Sequence, residues 1–460
     1  MIELKNLSFT AGDTGMQLLY NISLCIKRGE RVALSGTSGA GKTTLGYHLC
    51  GLHRCALVGE TDGRLMLDGR DCTTSDFPGF AGIVMQNPEN QLFCENAREE
   101  LLEVLALRGI TGEAARDAAR QALDEFALLP YAEKPLQELS LGMKQRVSVA
   151  AILALSPPVI LLDEPTNFLD PATSDMLFAQ LDRLSKTEKT TIIIIEHDLA
   201  RLARWATRFI RLHEGRLISE SQYPPDTKPL KFPSARKTAD TPAETALQIK
   251  DANFAYKHAS PVLQKINLTL YRGEIAALIG DNGSGKTTLL KLAAGLLKPG
   301  SGTIIPPPAG RRLRGGLVFQ DPDHQLFAAT VRAECAFLLE QRKCPPAQIN
   351  SGVPRALTRM GLAGMERRLP LSLSYGEKRR LSLASLLVGR HKLLCLDEPT
   401  VALDNGNLEI LAQGLRELSD EGTAVLFATH DLRFAEMFAA RIFQIKDGAC
   451  REITAGGVLK

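Results

Sequence analysis

The chain has 460 residues, which is more than one ordinary hydrophobic core accommodates and predicts about two to three domains. Apolar residues make up 44% and charged residues 23% of the sequence, as is typical of soluble globular proteins. The 55 basic and 52 acidic side chains leave a formal net charge of only +3, which is too balanced to indicate a nucleic-acid surface or an acidic substrate.

Two further features concern the cellular compartment. The nine cysteines show neither a Cys-x-x-Cys pair nor metal-ligand spacing, so reduced cytosolic thiols are expected. The longest conspicuous apolar run, residues 192–195, is the size of a strand, whereas a transmembrane helix needs about 20 residues. The N-terminal sequence MIELKNLSF resembles a strand and not a signal peptide. We therefore expect a cytosolic protein that acts at a membrane only through a partner.

In chain order, the first motif is a glycine-rich turn between a strand and a helix. Apolar strands are expected over residues 31–35 and 275–279, and they lead into GTSGAGKTT (36–44) and GDNGSGKTT (280–288). Both copies fit the pattern G-x-x-x-x-G-K-[ST], whose glycines let backbone N–H groups surround a phosphate at the start of a helix. One copy could be a glycine turn with a chance lysine, but two copies with the same flanks favour phosphate binding.

The side chains of these two turns have separate expected roles. Lys42 and Lys286 would reach the β- and γ-phosphates of a nucleotide, and the hydroxyls of Thr43 and Thr287 would bind Mg²⁺. The predicted nucleotide-binding residues of the two turns are Gly36, Ser38, Gly39, Ala40, Gly41, Lys42, Thr43, Thr44, Gly280, Asn282, Gly283, Ser284, Gly285, Lys286, Thr287 and Thr288.

A glutamine follows a further apolar strand in each half of the chain. Gln86 lies in VMQNPENQLF (84–93) and Gln320 in VFQDPDHQLF (318–327). An exposed amide would be ordinary, but the repetition favours a role in sensing the γ-phosphate and in binding Mg²⁺. The Gln-Leu-Phe that ends each stretch is either the rim of a docking groove or a buried helix start, and both interpretations stay open.

Two eight-residue stretches, LSLGMKQR (139–146) and LSYGEKRR (373–380), each run into an apolar helix. The serine of each stretch stands at an expected N-cap, where its hydroxyl and the positive end of the helix dipole can face a phosphate. In the second stretch Glu377 completes a capping-box pattern with the serine. The residues expected to face the phosphate are Ser140, Gly142, Ser374 and Gly376.

An acidic pair ends a buried strand in VILLDEPT and again in LLCLDEPT. The strand places Asp163 and Asp397 at its carboxyl edge beside the glycine-rich turn, where each carboxylate could bind Mg²⁺. Glu164 and Glu398 would then polarise the attacking water, an effect that contributes about 10²–10⁴-fold in rate. An acidic strand end that caps the next helix is the simpler alternative, and it is weaker beside a phosphate-binding turn.

A histidine ends one more apolar strand in each half. His197 lies in IEHDLAR (195–201) and His430 in ATHDLRF (428–434). One such histidine would more often be a satisfied strand-end residue than a catalyst. Two at equivalent positions favour contact with the γ-phosphate.

All of these motifs recur in the same order at nearly constant distance. The glutamines, the N-cap serines and the acidic pairs are each 234 residues apart, the histidines 233 and the lysines of the turns 244. A whole domain is therefore duplicated, with ten extra residues in the first copy between the lysine and the glutamine. We predict a first domain over residues 1–220, a linker rich in Pro, Lys and Thr over 221–245, and a second domain over 246–460.

Together the motifs resemble those of the ATP-binding-cassette (ABC) ATPases, over the whole chain except the linker. The resemblance implies an α/β fold with two P-loop NTPase domains, each with a RecA-like core, an antiparallel β subdomain and a helical subdomain. It implies ATP and Mg²⁺ as cofactors, and it identifies LSLGM and LSYGE as versions of the family signature LSGGQ. Family cassettes pair head to tail, so that each ATP lies between one P-loop and the other cassette's signature. The duplication implies that this pairing is intramolecular here.

The sequence departs from the family pattern at positions near the nucleotide. Leu141 and Tyr375 replace the first glycine of the signature and are expected to add bulk near the phosphate contact. Tyr256 matches the aromatic residue that usually stacks on adenine, whereas Ala11 is the matching residue of the first half. The two ATP sites are therefore expected to differ.

Within the family, QNPxxQLF is most similar to the energy-coupling-factor (ECF) importers and their cobalt and nickel relatives. This resemblance implies an ATP-hydrolysing subunit on the cytoplasmic face of the membrane that energises import of a vitamin or a transition-metal ion. Its partners would be an integral membrane scaffold and a substrate-binding membrane subunit, with no nucleic acid.

Two alternatives are a fused ATPase of a sugar or peptide importer and a soluble duplicated ATPase that acts on ribosomes. The ribosome-associated proteins typically have long, charged helical linkers, unlike the Pro-rich linker here. Iron–sulfur versions need clustered cysteines, and DNA-repair ATPases need long coiled-coil or zinc insertions. This sequence has neither feature.

Overall fold

The structure is a computed structural model that describes residues 1–12, 15–37, 39–169, 171–196, 199–223, 244–257, 260–281, 283–305, 315–389, 391–401 and 403–453. The chain divides into two compact units, unit 1 (Met1–Lys228) and unit 2 (Pro229–Lys460), and both are mixed α/β as predicted. Most of the predicted linker lies outside the described residues, so its boundaries stay a prediction. Among the described helices, none is both long and apolar enough to cross a bilayer.

Strands and helices alternate along unit 1. Its strands are β1 (Ile2–Ala11), β2 (Gln17–Ile26), β3 (Arg31–Gly36), β4 (Gly59–Leu67), β5 (Arg70–Asp71), β6 (Ala81–Val84), β7 (Val159–Asp163), β8 (Thr191–Ile195), β9 (Arg208–His213) and β10 (Arg216–Ser221). Its helices are α1 (Lys42–Leu49), α2 (His53–Ala56), α3 (Ala97–Ala106), α4 (Gly112–Glu125), α5 (Leu141–Ala154), α6 (Pro171–Thr187) and α7 (Leu199–Leu202).

Among the described residues, unit 2 follows the same order of elements without counterparts of α2 and β5. Its strands are β11 (Thr245–Ala255), β12 (Pro261–Tyr271), β13 (Ile275–Ile279), β14 (Ser301–Ile305), β15 (Gly316–Val318), β16 (Leu393–Asp397), β17 (Ala424–Ala428), β18 (Arg441–Lys446) and β19 (Ala449–Ile453). Its helices are α8 (Lys286–Ala294), α9 (Val331–Gln341), α10 (Pro346–Arg359), α11 (Tyr375–Leu387), α12 (Asn405–Asp420) and α13 (Leu432–Phe438).

Each unit is built on a mainly parallel sheet. Among the described residues the strand order is β10-β9-β3-β8-β7-β6 in unit 1 and β19-β18-β13-β17-β16-β15 in unit 2, which is the same order. Only the edge strands β10 and β19 pair antiparallel with their neighbours in these two sheets. Parallel strands expose their carboxyl ends at one edge, so β3, β7 and β8 bring the predicted motifs of unit 1 together.

The continuous apolar runs of the central strands serve two separate cores. In β8, Ile193 and Ile195 belong to the core shared with α1 and the antiparallel sheet, while Ile192 and Ile194 belong to the core shared with α3, α5 and α6. Because both faces are covered, every residue of β7 and β8 is buried. The antiparallel sheet has the order β2-β1-β4-β5 in unit 1 and, among the described residues, β12-β11-β14 in unit 2.

A buried histidine lies in the first of these cores. His48, on α1, is fully buried, and its Nδ1 lies 2.8 Å from the Thr44 carbonyl oxygen while its Nε2 lies 3.1 Å from the Thr61 hydroxyl. The Nδ1 must donate to the carbonyl, so the Nε2 accepts from the hydroxyl and the ring is neutral. His53 stacks on this ring at 4.7 Å between centroids. Burial lowers the pKa of His48 to about 4, because the charged form loses its hydration.

This histidine predicts acid sensitivity of unit 1. Between pH 6.5 and about 4 the unfolded chain binds a proton at His48 that the folded chain excludes, so stability falls as the pH falls. One proton changes the free energy of unfolding by at most about 1.4 kcal/mol per pH unit. The single tryptophan, Trp205, lies buried in unit 1, so its fluorescence during urea unfolding measures this unit.

We expect His48→Gln to flatten the decline of unit 1 stability between pH 7 and pH 4.5. The exposed His213→Gln serves as the control and should keep the wild-type slope. An unchanged slope in His48→Gln would contradict this account of the buried ring.

Candidate active site

The glycine-rich turn of each unit begins at the carboxyl end of a central strand, β3 or β13. A Cβ on Gly36 would lie 2.4 Å from the carbonyl oxygen of Leu212, and one on Gly280 would lie 2.4 Å from that of Ile445. Only glycine fits such close backbone contacts. The other described residues of the turns, Gly39, Ala40, Gly41, Thr44, Gly283, Ser284, Gly285 and Thr288, lead from these glycines into α1 and α8. Ser38 and Asn282 lie outside the described residues.

The lysine of each turn begins the following helix and folds back across the turn. Lys42 Nζ donates to the carbonyl oxygens of the first two residues of its turn at 2.9 and 3.0 Å. Lys286 Nζ makes the same two contacts in unit 2 at 2.7 and 3.1 Å. Both ammonium groups are therefore held beside the backbone N–H groups at a helix start, an arrangement suited to a phosphate.

A threonine and an aspartate meet at the centre of each site. Thr43 Oγ1 donates to Asp163 Oδ2 at 2.8 Å, and Thr287 Oγ1 donates to Asp397 Oδ2 at 2.6 Å. Both carboxylates are buried, and burial raises the pKa of Asp397, which the Thr287 hydrogen bond only partly offsets. A hydroxyl next to a buried carboxylate is a set of hard oxygen ligands that fits Mg²⁺.

The glutamate after each aspartate has an unusual backbone. Glu164 has φ 49° and Glu398 has φ 48°, in the left-handed region that non-glycine residues rarely adopt. The N–H group of each donates across to the neighbouring strand, to the carbonyl oxygen of Ile195 or Ala428 at 2.9 Å. Such conformations cost about 1–3 kcal/mol and persist only where surrounding structure holds them, which is frequent at functional sites.

The partners that the structure describes for the two carboxylates differ. Glu164 Oε2 accepts from the side-chain amides of Gln86 and Asn167, both at 2.6 Å. Glu398 Oε2 instead accepts from the backbone N–H of His430 at 3.2 Å and lies 3.0 Å from its Nδ1. The structure therefore brings the predicted glutamine and glutamate together in unit 1 and the predicted glutamate and histidine together in unit 2.

The contact between Glu398 and His430 also sets their charge states. Burial by itself would raise the pKa of Glu398 and lower that of His430. The hydrogen bond and the charge attraction between them outweigh burial, so the pKa of Glu398 is lowered and that of His430 is raised. His197, the matching histidine of unit 1, lies outside the described residues.

The two signature stretches start helices α5 and α11 as predicted. Ser140 Oγ accepts from the N–H of Met143, and Ser374 Oγ accepts from the N–H of Glu377, both at 3.3 Å. Glu377 Oε2 accepts in return from the Ser374 N–H at 2.8 Å, which confirms the predicted capping box. Gly142 and Gly376 lie in the first turn of these helices.

One expectation about the second signature is wrong. Tyr375 was expected to add bulk near a phosphate contact, but its ring is buried in unit 2 and its hydroxyl donates to the carbonyl oxygen of Gln320 at 3.1 Å. Burying the ring while keeping its hydroxyl bonded satisfies both its apolar and polar parts. Leu141, at the matching position, is half-buried.

The aromatic difference between the halves also appears in the structure. Tyr256 directly follows β11, is 43% exposed, and its hydroxyl lies 3.2 Å from Thr288 Oγ1 on α8. Phe254 packs against it edge to face at 4.9 Å. Ala11, at the end of β1, is buried and offers no ring. An exposed aromatic face beside the phosphate-binding turn is therefore a feature of unit 2.

The residues of each Gln-Leu-Phe segment differ in their exposure to solvent. Phe93 and Phe327 are 68% and 65% exposed, so the buried interpretation of these rings is wrong. The amide of Gln91 binds the backbone of the preceding strand end, its Oε1 accepting from Met85 N–H and its Nε2 donating to the Ile83 carbonyl, both at 3.0 Å. Only the phenylalanine of each segment is thus presented outward.

Four side chains near the sites escaped the sequence analysis. Buried Glu100 accepts from the backbone N–H of Phe93 at 3.0 Å, and buried Glu334 makes the same contact to Phe327 at 2.9 Å. Asn167 binds Glu164 in unit 1, and Arg379 donates to backbone carbonyls around Glu398 in unit 2. The equal spacing of Glu100 and Glu334 from the glutamine motifs was the available signal for that pair. Asn167 and Arg379 gave no such signal, because Val401 and Gln145 stand at the matching positions of the other half.

A family model described as "ABC transporter" matches residues 19–167 and 263–401, more than half of the chain. This chain belongs to the ABC transporter family. The two matched regions confirm the predicted pair of P-loop cassettes, and membership makes the protein an ATPase that binds ATP.

Two relatives cover nearly the whole chain. A proposed ABC transporter ATP-binding protein of Methanosarcina mazei is 33% identical over 99% of this chain and 95% of its own length. A proposed HMP/thiamine import ATP-binding protein, YkoD of Bacillus subtilis, is 30% identical over 97% of this chain and 90% of its own. Among solved structures, ribosome-bound archaeal Pelota and ABCE1 includes a chain with a TM-score of 0.69 and 19% identity. That match covers 97% of this chain and 78% of the other, and at this identity it shows the fold alone.

The exposed tyrosine predicts unequal ATP sites. Stacking of a base on an aromatic ring contributes about 1–3 kcal/mol, so Tyr256→Ala should weaken ATP binding at the Lys286 site by about 5–150-fold. Titration calorimetry on a non-hydrolysing variant measures both affinities. Tyr256→Phe, which keeps the ring and loses only the hydroxyl contact to Thr288, is the matched control and should retain most of the affinity. Two equal affinities that Tyr256→Ala leaves unchanged would rule out the stacking role.

Proposed function

We propose that this ABC ATPase energises an ECF-type importer of a vitamin or a transition-metal ion from the cytoplasmic face of the membrane. The observation that carries the proposal is the exposed phenylalanine that ends each QNPxxQLF-like segment, seven residues after the glutamine proposed to sense the γ-phosphate. The likeness over nearly the full chain to a proposed HMP/thiamine import ATPase supports the same substrate class. Likeness to ABCE1 at 19% identity adds nothing in favour of a ribosomal role.

The two proposed docking surfaces are related but not identical. In unit 2, Phe327 packs edge to face on Phe337 at 4.7 Å, and Phe337 is itself 39% exposed, so two rings face outward. In unit 1, the exposed Glu103 takes the position of Phe337, and Phe93 is the outward ring. A few exposed aromatic side chains suit the helix-in-groove contacts by which a membrane protein segment could dock. The difference suits two non-identical membrane segments.

The proposed chemistry takes place at two composite sites, each formed by the P-loop of one unit and the signature of the other. Thr43 with Asp163, and Thr287 with Asp397, would hold Mg²⁺ together with Gln86 or Gln320, and the ion would neutralise phosphate charge. The lysine and the backbone N–H groups of the turn bind the β- and γ-phosphates. Ser140 and Ser374 direct a hydroxyl and a helix N-terminus to the γ-phosphate.

Glu164 and Glu398 act as the general bases, taking a proton from the water that attacks the γ-phosphorus. In unit 2 the hydrogen bond to His430 lowers the pKa of Glu398 and so weakens it as a base. When His430 contacts the γ-phosphate instead, the carboxylate loses that partner and its pKa rises, which strengthens it as a base. Histidine and glutamate thereby tie base strength to the presence of the γ-phosphate.

The composite sites predict ATP stoichiometry. Glu164→Gln with Glu398→Gln should lower hydrolysis by about 10²-fold or more, because both general bases are lost. This double variant should trap two ATP molecules per chain, and Lys286→Ala or Lys42→Ala added to it should each remove one. Filtration with labelled ATP measures the number bound. Two tightly bound ATP molecules in the Lys286→Ala variant would contradict the site assignment.

The docking surfaces predict a separation of function. Phe93→Ala with Phe327→Ala should leave ATP binding and melting temperature nearly unchanged, because exposed rings contribute little to folding. The same variant should lose its membrane partners in pull-downs from detergent-solubilised membranes. The control is Ile218→Ala, which removes an exposed apolar side chain from β10. The proposed role would be contradicted if the double variant captured membrane subunits as well as the unmodified protein does, or if the protein captured ribosomes and not membrane subunits.

A further inference from the structure

The signature helix of unit 2 reaches the catalytic strand ends of its own unit through a buried arginine. Arg379, on α11, is 1% exposed, and its guanidinium donates to the carbonyl oxygens of Phe319 at 2.8 Å, Asp397 at 3.3 Å and Glu398 at 2.7 Å. Phe319 directly precedes Gln320, and the other two residues are the acidic pair. One side chain therefore joins the signature helix, the glutamine segment and the base.

A second contact runs parallel to the first. Tyr375, the first residue of α11, donates its hydroxyl to the carbonyl oxygen of Gln320 at 3.1 Å. The Arg379 guanidinium lies 5.8 Å from the centre of this ring, within the range of a cation–π interaction. The tyrosine and the arginine thus form one connected group between the start of the signature helix and the catalytic residues.

Unit 1 has different residues at both positions. Leu141 replaces the tyrosine and cannot donate, and Gln145 replaces the arginine. The Gln145 side chain is fully buried, and its amide nitrogen and oxygen find no hydrogen-bond partner in the part of the chain that the structure describes. An ion pair between the signature helix and the glutamine segment exists in both units, as Lys144–Glu89 and Lys378–Asp323. The described contacts that differ are those of the tyrosine, of the arginine and of Gln325, whose Nε2 donates to the Ser382 carbonyl on α11 at 3.2 Å, whereas Gln91 Nε2 donates to the Ile83 carbonyl.

The arginine is suited to fixing the base because of how it is bound. Its planar guanidinium presents donors in fixed directions, so it fits its three carbonyl acceptors in one arrangement only. A buried charge is costly without its hydrogen bonds, so α11 and these carbonyls must move together. The Glu398 carbonyl belongs to a residue with φ 48°, whose side-chain direction depends on holding that strained backbone.

We propose that Arg379, aided by Tyr375, is a positioning residue that couples the signature loop of unit 2 to Glu398 and Gln320 of the same unit, and that unit 1 has no such coupling. This inference rests on the composite sites proposed above, in which the signature of unit 2 contacts ATP bound at Lys42. ATP bound at the Lys42 site then controls hydrolysis by Glu398. For control in the opposite direction, of Glu164 by ATP bound at the Lys286 site, unit 1 has Leu141 and Gln145 in place of the tyrosine and the arginine. Binding affinities remain reciprocally coupled, but catalytic rates need not be.

The first test isolates Glu398 by using Glu164→Gln as the parent and measuring a single turnover of ATP. Arg379→Gln, which installs the residue of unit 1, should lower the first-turnover rate constant about tenfold or more, because a displaced base is poorly aligned with water. The ATP concentration for half-maximal rate should change by less than about twofold, since no contact to ATP is removed. Arg379→Lys, which keeps the positive charge but not the planar set of guanidinium donors, should recover only part of the rate.

Two controls separate positioning from damage to the fold. Tyr375→Phe removes one hydroxyl from a buried ring and should lower the rate severalfold with an unchanged melting temperature. If Arg379→Gln is unstable, the rate of Tyr375→Phe alone tests the positioning role. In a Glu398→Gln parent, Gln145→Met should leave turnover at Glu164 within about twofold, because Gln145 makes no described hydrogen bond. Parental rates in both Arg379→Gln and Tyr375→Phe would overturn the proposal.

The second test asks whether the link transmits occupancy. In the Glu164→Gln parent, Lys42→Ala should slow turnover at Glu398 strongly with Arg379 present and much less with Arg379→Gln. Equal slowing in both backgrounds would overturn the coupling. No effect of Lys42→Ala in either background would likewise overturn the coupling, and the rate of Arg379→Gln would then decide the positioning role alone.

Discussion

A parallel sheet brings the carboxyl ends of its strands to a single edge, and the candidate site of each unit depends on that constraint. In unit 1 the glycine-rich turn leaves β3, the acidic pair ends β7, and β8 leads toward the histidine motif. Residues more than 100 positions apart thereby come within hydrogen-bonding distance, as Thr43 and Asp163 do at 2.8 Å. The strands can be buried on both faces because the antiparallel sheet and the helices cover them, which keeps the edge rigid.

The carboxyl edge of each sheet also brings charged side chains together where they are buried. An aspartate ends β7 and β16, a glutamate follows each of them, and the lysine of the glycine-rich turn opposes their charge. Hydrogen-bond donors surround these carboxyls in both units. In unit 2, burial raises the pKa of Asp397, while the contact with His430 lowers the pKa of the neighbouring Glu398. Adjacent carboxyls with opposite pKa shifts are suited to separate tasks, metal binding by one and proton transfer by the other.

The duplicated halves have kept the fold and changed how the site is held. Glu164 is bound by the amides of Gln86 and Asn167, whereas Glu398 is bound by His430 at its carboxylate and by Arg379 at its backbone. Among the described residues, Arg379 adds a hydrogen bond from the signature helix to the Glu398 backbone, and Gln145 at the matching position of unit 1 makes no such bond.

The sequence by itself determined the duplication, the α/β class and the residues of the phosphate-binding turns, because these depend on local patterns. Strand ends, glycine spacing and the N-cap at Ser374 follow from short-range sterics and hydrogen bonding, and the structure agrees with them. Only the tertiary structure decided which way Tyr375 and Phe93 point, since a signature or docking motif does not specify what packs against it. It also decided that Arg379 binds carbonyls up to 60 residues away, a contact that exists only once the sheet has aligned its strand ends.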